Sequence, residues 1–203
     1  MERLRVVHCI YDDPANPWLG GGGAHRVFEI YRRLTAELDV TVVSGAFPTA
    51  VDGPKEGVEY RYLGLPRPYA LSRLTYGRSA TTLLRRGDYD AAYFDFSVYT
   101  PIRAPVSGSV GHVVHMPIGT TARTRWGRLL GGLVAARERR MLARAHRVQT
   151  TSEWMKRWLN DRVAPGADIT VVRSGVDDSY FRVRRAEADY VLYYGRFDLY
   201  QKG

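Results

Sequence analysis

Four consecutive glycines, Gly20–Gly23, separate an apolar segment from a helical pattern that begins near Ala24. Glycines allow the backbone to approach a ligand closely, and N–H groups at a helix start attract an anion such as a diphosphate. The spacing differs from the dinucleotide-binding pattern G-x-G-x-x-G, because His25 stands where the third glycine belongs. A nicotinamide or flavin oxidoreductase is therefore disfavoured. An anion-binding turn and a flexible loop both remain open for the glycines.

His115 stands at the carboxyl end of a predicted strand, where open α/β sheets bind their ligands. A neutral imidazole there can orient or hydrogen-bond a sugar hydroxyl. The alternative is a structural histidine that is hydrogen-bonded to the backbone. His112 lies three residues earlier, on the opposite face of the same strand, and is predicted to be structural. No Cys or carboxylate cluster accompanies the two histidines, so we expect no metal site.

The segment Arg125–Ala145 is predicted to form one long helix with two side-chain patterns. An apolar stripe is expected to face the core, and its members are Trp126, Leu129, Leu130, Leu133, Val134, Met141, Leu142 and Ala145. Beside it runs a basic ridge of Arg137, Arg140, Arg144 and Arg147. The ridge is either a solvated face or a contact for anionic lipid headgroups.

Two shorter motifs contain residues that could cap a helix or bind a pyrophosphate. Thr150 and Glu153 have the spacing of a capping box at the start of a helix. Near the end of the chain, Arg196 and Lys202 follow an apolar strand pattern. A guanidinium and an ammonium group leaving one strand together suit a pyrophosphate.

Short apolar runs and amphipathic stretches alternate along the chain, which predicts βαβ units and an α/β fold with a doubly wound, Rossmann-like parallel sheet. The predicted strands are 5–10, 40–43, 59–63, 91–96, 110–115, 146–150 and 169–172. The predicted helices are 24–36, 72–86, 125–145 and 153–160. We expect a first domain over residues 1–172, a linker over 173–189 and the first strand of a second domain over 190–203.

The composition fits a globular protein of 203 residues, and its net charge of +9 favours anionic partners such as phosphates, nucleic acid or an acidic membrane. The single cysteine, Cys9, cannot form an internal disulfide and fits a reducing compartment. The N-terminus is too polar for a signal peptide, and the apolar run Leu129–Ala136 is too short to span a membrane. We expect a cytoplasmic protein, peripheral on the inner face of the membrane if it contacts one.

These pieces, in this order, resemble the family-4 type of GT-B glycosyltransferases. The similar segments are the glycine loop with Ala24–Glu29, the strand Val113–His115, the helix Glu138–Ala145 with the turn Thr151–Glu153, the segment Ser174–Asp177 with Phe181, and Tyr194–Gly203. Ser174 and Arg173 depart from the family's asparagine and proline, and the gap from Arg196 to Lys202 is one residue longer than usual.

The resemblance implies the N-terminal half of a GT-B fold, truncated before the second domain. It implies a retaining transferase that takes a nucleotide-sugar, needs no metal or other cofactor and does not bind nucleic acid. Gly22 and Gly23 would meet the donor diphosphate or the nearby sugar, and His115 would hold a donor-sugar hydroxyl in the transition state. Arg196 and Lys202 would neutralise the leaving diphosphate. Weaker matches place Arg26 and Glu153 at the acceptor side of the cleft.

Two hypotheses follow for function. In the first, the chain is a truncated glycosyltransferase that serves an acceptor hydroxyl, with a lipid-linked or envelope glycan as the acceptor class. In the second, it is a non-catalytic or half-site subunit that pairs with a separately encoded donor-domain protein. The sugar, the nucleotide and the acceptor are not identified by these residues.

Overall fold

Strands and helices alternate in the computed structural model, which describes residues 3–18, 20–103 and 109–182. The strands are β1 (Leu4–Cys9), β2 (Leu38–Gly45), β3 (Gly53–Lys55), β4 (Val58–Leu63), β5 (Ala91–Asp95), β6 (Val110–Val114), β7 (Arg147–Thr150) and β8 (Asp168–Val171). The α-helices are α1 (Gly22–Tyr31), α2 (Tyr69–Arg86), α3 (Ile118–Leu142) and α4 (Glu153–Arg162), and a short 3-10 helix covers Asp178–Arg182.

The strands form one sheet in the order β3-β4-β2-β1-β5-β6-β7-β8. Every pairing is parallel except that of β3 with β4, a short antiparallel edge that the sequence analysis did not predict. The chain winds outward from β1 in one direction through β2 and β4, and in the other through β5 to β8. The predicted doubly wound α/β fold is therefore confirmed, with its strand order reversing at the junction of β1 and β5.

Two apolar layers cover the two faces of the sheet. On one face, Val27 and Tyr31 of α1 pack with Val40 and Val58. On the other face, a larger cluster extends from α2 to α4 and includes the fully buried Tyr76 and Leu142. Because both faces are covered, the central strands consist of short apolar runs rather than alternating patterns.

Helix α3 is bent back on itself at Gly127, where φ is 76° and the helical conformation is lost. A β-carbon added at Gly131 would lie 2.3 Å from the Cα of Arg123, and one at Gly119 would lie 2.6 Å from the Cα of Ala135. These close approaches pair the segments 118–126 and 128–142 side by side. The predicted helix 125–145 is therefore confirmed over 128–142, but its start is wrong, because the positive φ of Gly127 separates residues 125 and 126 into the first segment.

The predicted core-facing stripe is also wrong in its first half. Leu142 and Ala145 are buried, but Trp126 is 43% exposed, Leu129 is 86% exposed and Leu133 is 69% exposed. The buried face of the segment 128–142 consists instead of Gly131, Ala135, Glu138 and Leu142, and Leu129 and Leu133 lie on the opposite face. The predicted basic ridge is divided as well, because Arg147 belongs to β7 and not to α3.

Helix α1 begins earlier than the predicted start at Ala24. Its first residue is Gly22, so two of the four glycines belong to its first turn.

The start of α4 also differs from the prediction. Its capping residue is Ser152, whose hydroxyl accepts the N–H of Met155. Thr150 is buried and donates instead to the carbonyl of Val114 at 2.9 Å. The capping-box prediction for Thr150 was wrong, because Thr150 is the last residue of β7 and its hydroxyl binds the neighbouring strand, two positions before the true capping residue.

Residues 183–203 lie outside the described part of the chain. They include Arg196, Lys202, the last seven residues of the predicted linker and the predicted second-domain strand. The domain limits therefore stay predictions. In the described residues, no helix combines the length and the hydrophobicity that are needed to cross a membrane.

Candidate active site

The carboxylate of Asp95 joins two histidines at the point where the strand order reverses. His115 follows β6, and its Nε2 lies 2.8 Å from Oδ2 of Asp95. His8 lies in β1, and its Nε2 is 3.1 Å from Oδ1 of the same carboxylate. Both carboxylate oxygens are therefore engaged by an imidazole. The parallel register of β1, β5 and β6 brings the three residues together at this edge of the sheet.

The geometry fixes which ring nitrogen of each histidine is protonated. A carboxylate only accepts, so each Nε2 carries the proton that it donates to Asp95. Nδ1 of neutral His8 then accepts the hydroxyl of Tyr31 at 2.9 Å. Nδ1 of His115 has no hydrogen-bond partner among the described residues. His115 therefore offers a ligand one free nitrogen, on a ring that Asp95 holds in place.

Asp95 is an anion in this setting. Burial alone would raise the pKa of its carboxyl, but the hydrogen bonds from His115 and His8 outweigh burial and hold the pKa well below its usual range. This fixed negative charge accepts the Nε2–H of His115 and so sets the orientation of the ring and of its free Nδ1.

Gly23 lies directly against the Asp95–His115 pair. A β-carbon added there would be 3.4 Å from Oδ2 of Asp95 and 3.9 Å from Nε2 of His115, whereas one at Gly22 would meet nothing within 4 Å. Gly21 is the N-cap of α1, with no side-chain cap, and the first turn contains no acidic residue. The exposed N–H groups at this helix start leave room for an anion beside the pair.

A cleft of about 320 Å³ opens from this pair. Its charged groups besides the pair are Asp12, Arg73 and Arg125, and aromatic side chains, including Tyr99 and Trp126, line its walls. Flat aromatic surfaces and a few placed polar groups are typical of sites that hold an amphipathic ligand such as a sugar.

Asp12 and Arg73 form an electrostatic couple in the cleft. Burial raises the pKa of Asp12 to about 6, against the lowering effect of the Arg73 guanidinium. The guanidinium lies over the ring of Tyr11 at 4.5 Å. Its Nη atoms donate to Tyr69, Ser97 and Thr100. Arg73 is therefore held rigidly, and Asp12 changes charge near neutral pH.

The other predicted site residues lie away from the Asp95–His115 pair. Arg26, in α1, donates to the carbonyl of Val172 at 3.4 Å and so contacts the segment after β8. Glu153 is exposed in the first turn of α4, and neither residue lines the cleft. His112 lies within β6, and its ring centroid is 4.3 Å from that of Phe94. Burial lowers the pKa of His112 to about 4, in keeping with its predicted structural role.

Four residues of the site were not predicted from the sequence, namely Asp95, His8, Asp12 and Arg73. A signal for Asp95 was present, because it lies one residue before the end of the predicted strand 91–96, and His115 ends the next predicted strand, 110–115. Carboxyl ends of neighbouring parallel strands meet at one edge, so the two residues could have been paired. His8 gave no such signal, because it lies within an apolar strand. Among the described residues, no group of His, Cys, Asp and Glu side chains is suited to hold a metal ion.

Comparisons with known proteins agree on the fold. Residues 20–180 match the family described as Glycosyltransferase Family 4. The solved structure of sucrose-phosphate synthase from Thermosynechococcus elongatus superposes with a TM-score of 0.60 at 11% identity, over 90% of this chain and 53% of that one. This chain therefore spans about half the length of that synthase.

A second, shorter structure of the same synthase gives a TM-score of 0.52 at 11% identity, over 87% of this chain and 92% of that one. At such low identity the likeness shows the fold alone. No curated protein sequence matches this chain significantly.

Proposed function

Because the chain belongs to glycosyltransferase family 4, we propose that it forms the acceptor-side half of a retaining enzyme that transfers a sugar from a nucleotide-sugar to an acceptor hydroxyl. The observation that carries the proposal is the convergence of Gly23, Asp95 and His115 where the strand order reverses. All three lie in the part of the chain that matches the family. The place is also the one at which doubly wound folds bind their ligands.

The residues divide the work by their chemistry. In the transfer, the acceptor oxygen bonds to the anomeric carbon and its proton passes to the oxygen of the departing diphosphate, which leaves with the electrons of the broken bond. Nδ1 of His115 accepts a hydrogen bond from a hydroxyl of the donor sugar. Asp95 keeps the ring of His115 oriented for that contact. The helix start at Gly22 and Gly23 contacts the diphosphate or the sugar beside it.

The rest of the donor site is assigned to residues beyond the described ones. We propose that Arg196 and Lys202 neutralise the departing diphosphate, as a guanidinium and an ammonium are suited to do. The proposal assigns no metal, in keeping with the engagement of both Asp95 oxygens by histidines. Arg26 and Glu153 are kept only as weak acceptor-side candidates.

For the acceptor we propose an amphipathic molecule, of the lipid-linked or envelope-glycan class. The support is the mixed lining of the cleft, with Tyr99 and Trp126 beside Arg73 and Arg125.

We also propose a cytoplasmic location at the inner face of the membrane. Cys9, the only cysteine, is buried, and burial raises the pKa of its thiol to about 12, so the thiol is kept unreactive.

The test compares two histidine variants in an enzyme that joins this chain to a family-4 donor domain. His115→Ala should lower kcat at least tenfold while the KM for the donor changes little, because the contact strengthens in the transition state. His146→Ala, at an exposed position outside the cleft, is the control and should behave as the parent. Equal kcat values for the two variants would remove His115 from the mechanism.

The alternative is a half-site subunit that works with a separate donor-domain protein. Assays of each component alone and of their mixture distinguish this subunit from one half of a single enzyme. The 203-residue chain alone should give no appreciable transfer, because positioning and diphosphate stabilisation need both halves. Activity that appears only on mixing with an independently expressed donor domain would favour the subunit. Turnover by the chain alone would contradict both forms of the proposal.

A further inference from the structure

The exposed turn of the α3 hairpin and the groove beside it form a surface that extends beyond the cleft of the proposed transfer reaction and shares Arg125 and Trp126 with it. Residues 123–130 are all exposed, and they include Arg123, Arg125 and Arg128 next to Trp126 and Leu129. The only acidic residue of α3 is Glu138, which is buried and accepts the N–H groups of Ile118 and Gly119. The solvent-facing part of the hairpin is therefore apolar and positively charged.

A groove of about 780 Å³ continues this surface on the side of α2. Its rim carries five exposed arginines, namely Arg85, Arg103, Arg137, Arg140 and Arg144. Its floor includes the apolar side chains of Phe94, Ile102 and Met141, together with the ring of His112. No described lining residue is acidic, and none of the five guanidinium groups forms an ion pair or a side-chain hydrogen bond with a described residue.

The two parts share one helix face. Leu129, Leu133, Arg137 and Arg140 follow one another at helical spacings of four, four and three residues. Leu133 is exposed and also lines the groove, so the apolar turn passes directly into the basic rim. Five like charges around one groove repel each other unless an anion lies among them.

We propose that this face docks on an anionic lipid surface, with Trp126, Leu129 and Leu130 entering the headgroup region and the groove arginines binding lipid phosphates. Leucine and tryptophan beside arginine are the side chains that favour a membrane interface. The charge pattern selects anionic over neutral lipid, since each basic residue near such a surface adds to binding. An isolated phosphate would leave the leucines and the apolar floor uncovered.

Docking in this way would set the cleft next to the membrane. Trp126 and Arg125 belong to the exposed turn and also line the cleft that contains His115. An acceptor carried by a lipid would then meet the cleft without leaving the membrane surface. This consequence rests on the proposed function, but the docking itself does not.

The experiment measures binding of the 203-residue chain to vesicles of phosphatidylglycerol and phosphatidylcholine, and to pure phosphatidylcholine vesicles, without any sugar donor. The double variant Arg137→Gln/Arg140→Gln is compared with Arg86→Gln/Arg157→Gln. The control pair has the same charge change at exposed positions outside the groove. We expect the parent and the control to prefer anionic vesicles, and the groove variant to bind them roughly tenfold or more weakly.

The apolar contact is tested by Leu129→Ser/Leu130→Ser, which changes two exposed side chains and should leave the melting curve unaltered. This variant should also lose vesicle binding, and tryptophan fluorescence should shift to the blue on binding in the parent but not in Trp126→Phe. Because no transfer is measured, failure of the proposed function would leave these results unaffected.

Three results would overturn the proposal. One is equal loss of binding in the groove variant and its arginine control. Another is full competition by millimolar glycerol phosphate or inorganic phosphate, which would make the groove a site for a soluble anion. The third is binding of duplex DNA that depends on the same arginines and leucines, which would assign the face to nucleic acid.

Discussion

Oδ2 of Asp95 lies 2.8 Å from Nε2 of His115, and the opposite oxygen of the same carboxylate is occupied by His8. One buried anion therefore fixes the ring that we assign to the sugar donor and connects it to the first strand of the sheet. Asp95 is a positioning residue in this scheme, since it acts through His115.

Asp95→Asn should separate orientation from mere burial. The amide retains an acceptor oxygen but loses the negative charge to which His115 and His8 donate. We expect kcat of the joined enzyme to fall about 10- to 100-fold, the equivalent of a charged hydrogen bond of about 1.5–3 kcal/mol. The KM for the donor should change much less, because the contact from His115 strengthens in the transition state. A purely structural role would lower the melting temperature and leave kcat of the folded enzyme at the parent's value.

Asp12 should make the chain less stable as the pH rises. Its pKa in the fold, about 6, lies above the ordinary value of 3.8, so the fold favours the protonated form. The stability that protonated Asp12 contributes to the fold is fully present below about pH 4 and is lost as the pH rises through about 6. Asp12→Asn should therefore raise the free energy of unfolding by about 1–3 kcal/mol at pH 8 and by little at pH 4. Urea denaturation at both pH values measures this, with exposed Asp88→Asn as the control that should show no such difference.

The two helix-start glycines offer a matched pair. Alanine at Gly22 meets open space, whereas alanine at Gly23 places a methyl group 3.4 Å from the Asp95 carboxylate. Neither glycine has a positive φ, so the backbone accepts alanine. Gly22→Ala should leave stability equal or raise it by up to about 1 kcal/mol, as helix propensity predicts.

In the joined enzyme, Gly23→Ala should raise the KM for the donor and lower kcat, because it crowds the ligand space and His115 together. Gly22→Ala should affect only KM, through the diphosphate. Thermal melts and steady-state kinetics are the measurements. If both variants had the kinetics of the parent, Gly22 and Gly23 would have no role in donor binding.

Glu138 should be the anchor of the α3 hairpin. Its side chain is 1% exposed and accepts the N–H groups of Ile118 and Gly119, at 2.7 and 2.9 Å. Glu138→Ala leaves two N–H groups at the start of the hairpin without a partner, and we expect a loss of about 2–3 kcal/mol in urea denaturation. Glu138→Gln keeps one acceptor oxygen and should lose less. The opposite order of the two variants would contradict the capping role.

The predicted domain boundary can be tested by ending the chain at Val172. The described contacts that this removes are weak, since the ion pair between Arg33 and Asp177 spans 3.6 Å and both side chains are about half exposed. Such pairs are worth about 0–1 kcal/mol. The shortened chain should therefore melt within a few degrees of the full one. A loss of ten degrees or more would show that the first domain extends beyond residue 172.

The sequence by itself determined the α/β class, the parallel sheet and the place of His115 at a strand end. These features rest on local patterns, because apolar runs of four to six residues alternate with amphipathic stretches and each pattern fixes one element. The glycine run and the order of motifs were also enough for the correct family. Strand limits differed from the prediction by one or two residues in most cases, as at β1 and β6.

Only the tertiary structure decided which side chains share the site and which face of α3 is buried. Asp95 and His8 join His115 because β1, β5 and β6 are neighbours. The two contacts, His115 with Asp95 and His8 with Asp95, link residues 20 and 87 positions apart, which no local pattern encodes. Periodicity groups Leu129 and Leu133 into one apolar stripe, but it does not say which side of a helix meets a neighbour. The segment 118–126 packs against the side that carries Gly131, Ala135 and Glu138, so the leucines on the opposite side lie in solvent.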